Sequence, residues 1–309
     1  MKTLCKYFII FLLVIPCIQV SCQDQEEQID SLVNMLRTAG REWNNYSKPL
    51  IEIGEAAVPA LLEAVKDRSL SLWNRRITAM TLNNIHSPQW VRPALEILFN
   101  REEDPVLRNQ VTAGLRGFKL TEVKDQLWGL FKEESNEFHK SNLANLLLTS
   151  DTTMAYKSFE ELYNTCDGHV QRNALLNLVR IRPHESTTWY LKAILGDDWM
   201  TSNAAMDSLI TSDYFNAGKL LESYHKPGIG EEIKWCIVYI FGHRAEPESI
   251  QLLAEALQDE SWLVHTEAAV GLSRFDSKKV IPEMKKLSSD ARGYIRNNSR
   301  WVIRNIKKE

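Results

Sequence analysis

The chain has few of the residues that interrupt helices and none of the arrangements that perform covalent chemistry. Its 309 residues hold only 13 Gly and 10 Pro, too few for a collagenous or low-complexity protein. No segment sustains the alternation of apolar and polar residues that marks a strand, so a sheet is not expected. There is no Gly-rich phosphate loop, HExxH, Cys-x-x-Cys or nucleophile elbow, which removes the common routes to catalysis. The seven histidines are scattered, and paired carboxylates such as Glu133-Glu134 and Asp197-Asp198 sit where a helix end would place them. No catalytic residue, metal ligand or cofactor is therefore assigned. A basic excess is also lacking. Net charge is −3, and ten Lys/Arg against three acids are concentrated in residues 278–309. The stretch 22–277 is left with 25 cations against 37 anions, a balance that argues against generic nucleic-acid binding. With 44% hydrophobic and 25% charged residues, the composition is that of a folded chain and not a disordered one.

Long apolar runs are absent except at the start. Lys2 and Lys6 precede the nine-residue run Tyr7–Ile15, which fits the core of an export signal and is too short to span a bilayer. Residues 1–21 are read as that signal and 22–28 as a short acidic tether. Gln19-Val20-Ser21-Cys22 resembles a bacterial lipobox, with Gln19 in place of the usual Leu, and Gln23-Asp24-Gln25-Glu26-Glu27 resembles the acidic tract of some surface-exposed Gram-negative lipoproteins. The resemblance implies that Cys22 is the lipid anchor of an envelope protein associated with the outer membrane. Ordinary cleavage after Cys22 is the alternative, and would give a secreted chain.

What the chain has in abundance is a repeat. Trp43, Arg75, Arg108, His139, Gln171, Ser202, Lys234, His265 and Arg296 are separated by 31 to 33 residues. Each is followed seven residues later by an apolar residue, from Leu50 to Ile303, and mostly by small or apolar residues at +3 and +4. A fixed period of this length denotes stacked supersecondary units. One helical pair cannot fold alone. Ordering its backbone costs ~1–2 kcal/mol per residue, and each buried Leu or Val returns only ~1.5–3 kcal/mol, so neighbours must supply a second face. Pro59, Pro93 and Pro282 are read as first-turn prolines of the A helices, and Gly54 and Gly242 as left-handed C-caps. Asp198 is read as starting the helix before Ser202, and Ser261 or Asp259 the one before His265.

The tract IGEAAVPALLEAVKD from Ile53 and the tract ESWLVHTEAAVGL from Glu260 resemble the two halves of HEAT-like repeats first catalogued in phycobilin lyases. The resemblance implies an all-α, right-handed α-solenoid of eight to nine repeats over residues 29–309. The family's Asp and Val-Arg signature is lost at Gln171, Ser202 and Lys234, and Pro49 interrupts the first B helix, so irregular repeats are expected there.

In such a family the B helices line the concave face, and the +1 and +5 positions point away from the buried stripe. The candidate partner surface is accordingly Arg76, Asn109, Lys140, Arg172, Asn203, Trp235, Tyr239 and Trp301. Arginine with exposed aromatics is the composition of binding hot spots; ordinary solvated helix faces would show the same positions. Trp199 and Trp262, each three residues before an anchor, are read as core. Arg292, Arg296, Arg300 and Arg304 form a basic stripe at four-residue spacing, either the solvent face of a terminal cap or a docking strip for an acidic partner or anionic head groups. The expected function is a monomeric protein- or peptide-binding scaffold, held to the membrane by its anchor. An enzyme on this fold, such as a chromophore lyase, and a structural spacer of the envelope are the alternatives.

Overall fold

The computed structural model describes residues 24–306. The export signal and Cys22 lie outside them. Among the described residues the chain is helical with no strand, and it divides into two compact units, Met1–Ala155 and Tyr156–Glu309.

The first unit contains α1 (24–38), α2 (Asn44–Ile53), α3 (Val58–Lys66), α4 (Leu72–Ile85), α5 (Pro88–Phe99), α6 (Pro105–Gly114), α7 (Lys124–Glu133) and α8 (Glu137–Ser150). Residues 24–28, read from the sequence as tether, are helical and belong to α1. The second unit takes most of α9 (Thr152–Thr165), then α10 (Gly168–Ile181), α11 (Ser186–Ile194), α12 (Trp199–Thr211) and α13 (Ala217–Tyr224). It continues with α14 (Glu231–Arg244), α15 (Ser249–Ala256), α16 (Trp262–Leu272), α17 (Ser277–Leu287) and α18 (Gly293–Asn305). Odd-numbered helices are the A members and even-numbered helices the B members of nine helical pairs. In each unit the B helices pack in a row, α2 on α4 on α6 on α8, and α10 on α12 on α14 on α16 on α18. The architecture is an all-α solenoid.

The anchor positions explain the period. Nε of Arg75 donates to the Val65 carbonyl at 2.9 Å, and Nε of Arg108 to that of Leu98 at 3.1 Å. Gln171 reaches the Tyr163 carbonyl at 3.1 Å, and Ser202 that of Ala193 at 2.9 Å. Nδ1 of His265 lies 3.1 Å from the Asp259 carbonyl, and Arg296 donates to that of Asp290 at 2.9 Å. Each acceptor lies in the last turn of the preceding A helix or in the loop just beyond it. The last four carbonyls of a helix have no partner within it, so a donor projecting from the B helix satisfies one of them and fixes the hairpin. The two repeats expected to be irregular at Gln171 and Ser202 keep this bond with a different donor. His139 and Lys234 depart from it: Nδ1 of His139 lies 2.7 Å from the Glu134 carboxylate, and Lys234 pairs with Asp259 ahead of the next B helix at 2.7 Å.

Inside each unit the apolar stripe is buried as the spacing requires. Leu50, Leu82, Leu115, Leu146, Leu178, Leu209 and Leu272 are fully buried, and Phe241 almost so. Asp198 accepts from the Met200 and Thr201 amides and starts α12. Neither Ser261 nor Asp259 caps α16 with a side-chain bond to its first-turn amides; Asp259 accepts from the Ser261 amide, and the Ser261 hydroxyl donates to Glu231.

Several local expectations are corrected. Pro59 is in the first turn of α3, but Pro93 and Pro282 lie inside α5 and α17. The first-turn proline of α5 is Pro88. Gly54 is the C-cap of α2 with a positive φ of 74°, but its ψ of −132° lies outside the left-handed helical region. Gly242 is inside α14, and the left-handed residue that ends the helix is Ala245, with φ 51°. Glycine at 242 serves packing: a Cβ there would stand 2.8 Å from the Gly271 Cα of α16. A side chain would force the two helices apart.

Arg75 adds a second interaction. Its guanidinium forms a fork on Glu103, at 2.9 and 2.7 Å, and both side chains are 8% exposed. The Arg75 hydrogen bond holds the Glu103 carboxyl below its ordinary value. A carboxylate with a depressed folded pKa contributes stability above its unfolded value, near 4.5, and loses it as pH falls through the folded one. Glu103→Gln is therefore expected to lower stability at pH 7 and to flatten the acid limb below about pH 4.5. Urea unfolding midpoints across pH 2.5–7 check this; parallel acid limbs in the two proteins would refute the assignment.

Candidate functional site

Most candidate residues of the first unit are turned to internal contacts. Arg76 is half-buried, with its guanidinium 6.0 Å from the Trp73 ring. Its Nε is buried with no hydrogen-bond partner among the described residues. Asn109 accepts from Asn142 on α8 at 2.7 Å. The Lys140 ammonium lies 4.9 Å from the centre of the Phe131 ring. Ala144, at a +5 position, is fully buried, so the face that is open at Ala113 is closed one repeat later. His139, another anchor, is 3% exposed, with Nδ1 2.7 Å from Glu134. Burial keeps its imidazole pKa below the usual value despite that carboxylate. It is a structural histidine.

In the second unit Arg172 and Asn203 are exposed, on α10 and α12. Trp235 and Tyr239 are half-buried, and with His243 they form a ring ladder along α14. Successive centroids are 5.4 and 3.9 Å apart, and Nδ1 of His243 lies 2.9 Å from an Arg274 nitrogen. Trp301 on α18 is 38% exposed. The basic stripe divides. Arg292 curls back onto Asp290 at 3.1 Å, and Arg296 is the half-buried anchor already described. Arg292 is nevertheless exposed, as are Arg300 and Arg304, which line a cavity of about 480 Å³ with Ser288, Asn297 and Ile303. The +4 position is buried in the eight earlier repeats and exposed at Arg300, which makes this a polar outer face.

The assignment of Trp199 and Trp262 to the core is wrong. They are 71% and 70% exposed, the most exposed of the large hydrophobic side chains described. Both occupy the first position of a B helix, and Leu72, Trp73, Val106 and Phe138 are also exposed in B-helix first turns. Helical side chains lean toward the N-terminus, so those of the first turn overhang the end of the helix. Three residues before the anchor is one turn too early to reach the core. The sequence carried that signal in the capping residue, Asp198, directly ahead of Trp199.

Trp199 and Trp235 open onto a cavity of about 510 Å³ between α12 and α14, lined also by Leu195, Asn203, Met206, Glu232, Ile233, Cys236 and Leu263. Cys236 is a free thiol. No group of three or more His, Cys, Asp and Glu capable of holding a metal occurs among the described residues, and no described helix is long and apolar enough to cross a membrane.

Residues 231–304 match the family described as HEAT repeats. No curated protein matches the chain. Among solved structures, human deoxyhypusine hydroxylase in complex with glycerol is similar over 94% of this chain and 100% of its own, at 13% identity and a TM-score of 0.31. A designed armadillo repeat protein in complex with the peptide (KR)4 is similar over 90% of this chain and 99% of its own, at 14% identity and a TM-score of 0.25.

Burial, aided by the nearby charge of Glu232, pushes the Cys236 thiol up to about 11. Since the thiolate is the nucleophile, its alkylation by iodoacetamide is expected to be slow at pH 8 and to accelerate about tenfold per pH unit up to pH 10. Peptide mass spectrometry of timed samples checks this, and a rate that levels off by pH 9 would contradict the burial.

Proposed function

We propose that this protein is an exported, lipid-anchored binding module that engages a protein or peptide partner through the exposed parts of its B helices. The observation that supports the reading most is the placement of large aromatic side chains. Phe138, Trp199 and Trp262 are largely in solvent at B-helix first turns, where they add little to the core, and Trp73 is half-exposed at a fourth. A monomer seldom exposes several tryptophans without a use for them, and tryptophan is enriched among residues that dominate binding. Arg172, Asn203, Trp235 and Tyr239 extend the surface along the B helices of the second unit; Arg76, Asn109 and Lys140, on the first unit, are turned to internal contacts and are left out of it. Trp301 with Arg300 and Arg304 forms a further patch on α18.

The anchor is proposed from the sequence around Cys22. Acyl chains contribute ~0.8 kcal/mol per buried methylene, and stable retention takes more than one chain. Cys22→Ser is expected to move the protein from the membrane pellet to the soluble fraction. Unchanged sedimentation with membranes would remove the anchor from the proposal.

The binding reading is tested by crosslinking in intact cells, with mass spectrometry of what is recovered reproducibly. Replacing Trp235 and Tyr239 by Ala is expected to leave the thermal transition in place and to weaken capture of the recovered partner by ~2 kcal/mol or more, the scale of a hot spot. Loss of the transition would mean that the rings are core. Full capture by the doubly substituted, folded protein would exclude α14 from the surface.

A further inference from the structure

We infer that the cavity between α12 and α14 is a receptor for an arginine side chain on an extended segment of a partner protein, with an apolar neighbour of that arginine seated beside it. The inference rests on the binding reading above and names what one part of that surface recognises.

Two features select the ligand. The walls are apolar and aromatic, supplied by Trp199, Trp235, Leu195 and Leu263. The charged groups are of one sign: Asp197 and Glu232 line the cavity beside the neutral Ser202 and Asn203, and no Lys, Arg or His does. Neither carboxylate has a salt-bridge or hydrogen-bond partner among the described residues, whereas neighbouring Asp198 is fully engaged at the start of α12. Helix N-termini do favour acids, each carrying about half a positive charge. Here two such ends meet four carboxylates, on Asp197, Asp198, Glu231 and Glu232, so the local field stays negative.

That combination discriminates between ligand classes. An anion is repelled. A wholly apolar group would cover the two carboxylates and strip their hydration without replacing it, which is costly. A cation with an aliphatic stem satisfies both features: the stem lies along the apolar wall, and the charged head reaches a carboxylate and an indole face. Arginine is favoured over lysine because its planar guanidinium stacks on indole and forks onto a carboxylate, and is more weakly hydrated. The volume of about 510 Å³ exceeds one side chain, leaving room for an apolar neighbour against Leu195, which is 44% exposed.

The test uses the full chain and the capped tripeptides Ac-Leu-Arg-Leu-NH2 and Ac-Leu-Gln-Leu-NH2. The indole N–H resonances of Trp199 and Trp235, assigned through Trp199→Phe and Trp235→Phe, report occupancy. Slowed alkylation of Cys236 with Cys166 unaffected reports the place. The arginine peptide is expected to shift both indoles and to bind about tenfold or more tighter than the glutamine peptide. Asp197→Asn with Glu232→Gln is expected to abolish that preference, while both proteins keep the same thermal midpoint. Equal affinity for the two peptides would show an unselective apolar groove and overturn the inference. So would the absence of any indole shift up to about 10 mM. Cellular crosslinking of the doubly substituted protein separates this inference from the broader one. Undiminished partner capture, with no arginine preference in the wild type, would remove the receptor and leave the binding module standing. Arginine-selective peptide binding, with no partner captured by the wild type, would uphold the receptor and count against the module.

Discussion

The hydrogen bond from a B-helix side chain to the end of the preceding A helix is the constraint on which the rest of the structure depends. A helical pair of about thirty residues has two chain ends to satisfy and one shared face to bury. Without a donor at the A-helix C-terminus, buried carbonyls would go unpaired, at roughly 1–3 kcal/mol each. Placing that donor near the start of the B helix fixes the loop between the helices and the rotation of the B helix about its own axis. The rotation decides which residues fall at +3, +4 and +7, and hence which face is buried. Period, register and core composition thus follow from one geometric requirement.

The requirement is for a donor, not for a particular residue. Arginine at 75 and 108, glutamine at 171, serine at 202 and histidine at 265 all meet it, over separations of six to ten residues. This is why the repeats diverge so far in sequence while the spacing persists. The bond is not universal: His139 turns its Nδ1 to the Glu134 carboxylate and its Nε2 to Thr112, and at Lys234 the charge is used one repeat further on, at Asp259. Other contacts also join neighbours about one period apart. Ser47 meets Thr81 at 2.8 Å, and Arg244 donates to the carbonyls of Leu209, Ile210 and Ser212 beyond and at the end of α12.

The fold class and the position of nearly every helix could be read from the spacing, because burial at +4 and +7 repeats with little variation. Local geometry was harder to read. Pro93 and Pro282 look like first-turn prolines by their distance from the anchors, yet their helices begin five residues earlier, at Pro88 and Ser277. Gly242 looks like a cap, yet it answers to Gly271 on another helix, a contact that no local pattern records. The surface was read least well. Residue type and family position point Trp199 and Trp262 to the core, whereas their exposure depends on where the helix starts. Arg76 and Lys140 hold expected positions, but each stands near an aromatic ring of its own repeat, Trp73 or Phe131.

The same geometry that makes the core legible dictates where a recognition surface can develop. A B helix within the stack is flanked by a B helix on each side and by its A partner, so changes along its length disturb packing. Its first turn projects beyond these contacts and carries unpaired amides that a single capping residue satisfies. Residues there are constrained by the cap and by little else. Large aromatics can accumulate at small cost to the fold, and acids are favoured by the helix dipole. A tryptophan beside carboxylates is therefore a combination that first turns reach easily and that suits cationic groups. Trp199 and Asp197 at the start of α12, with Glu232 at the start of α14, bring that combination to the lining of one cavity between two consecutive B helices.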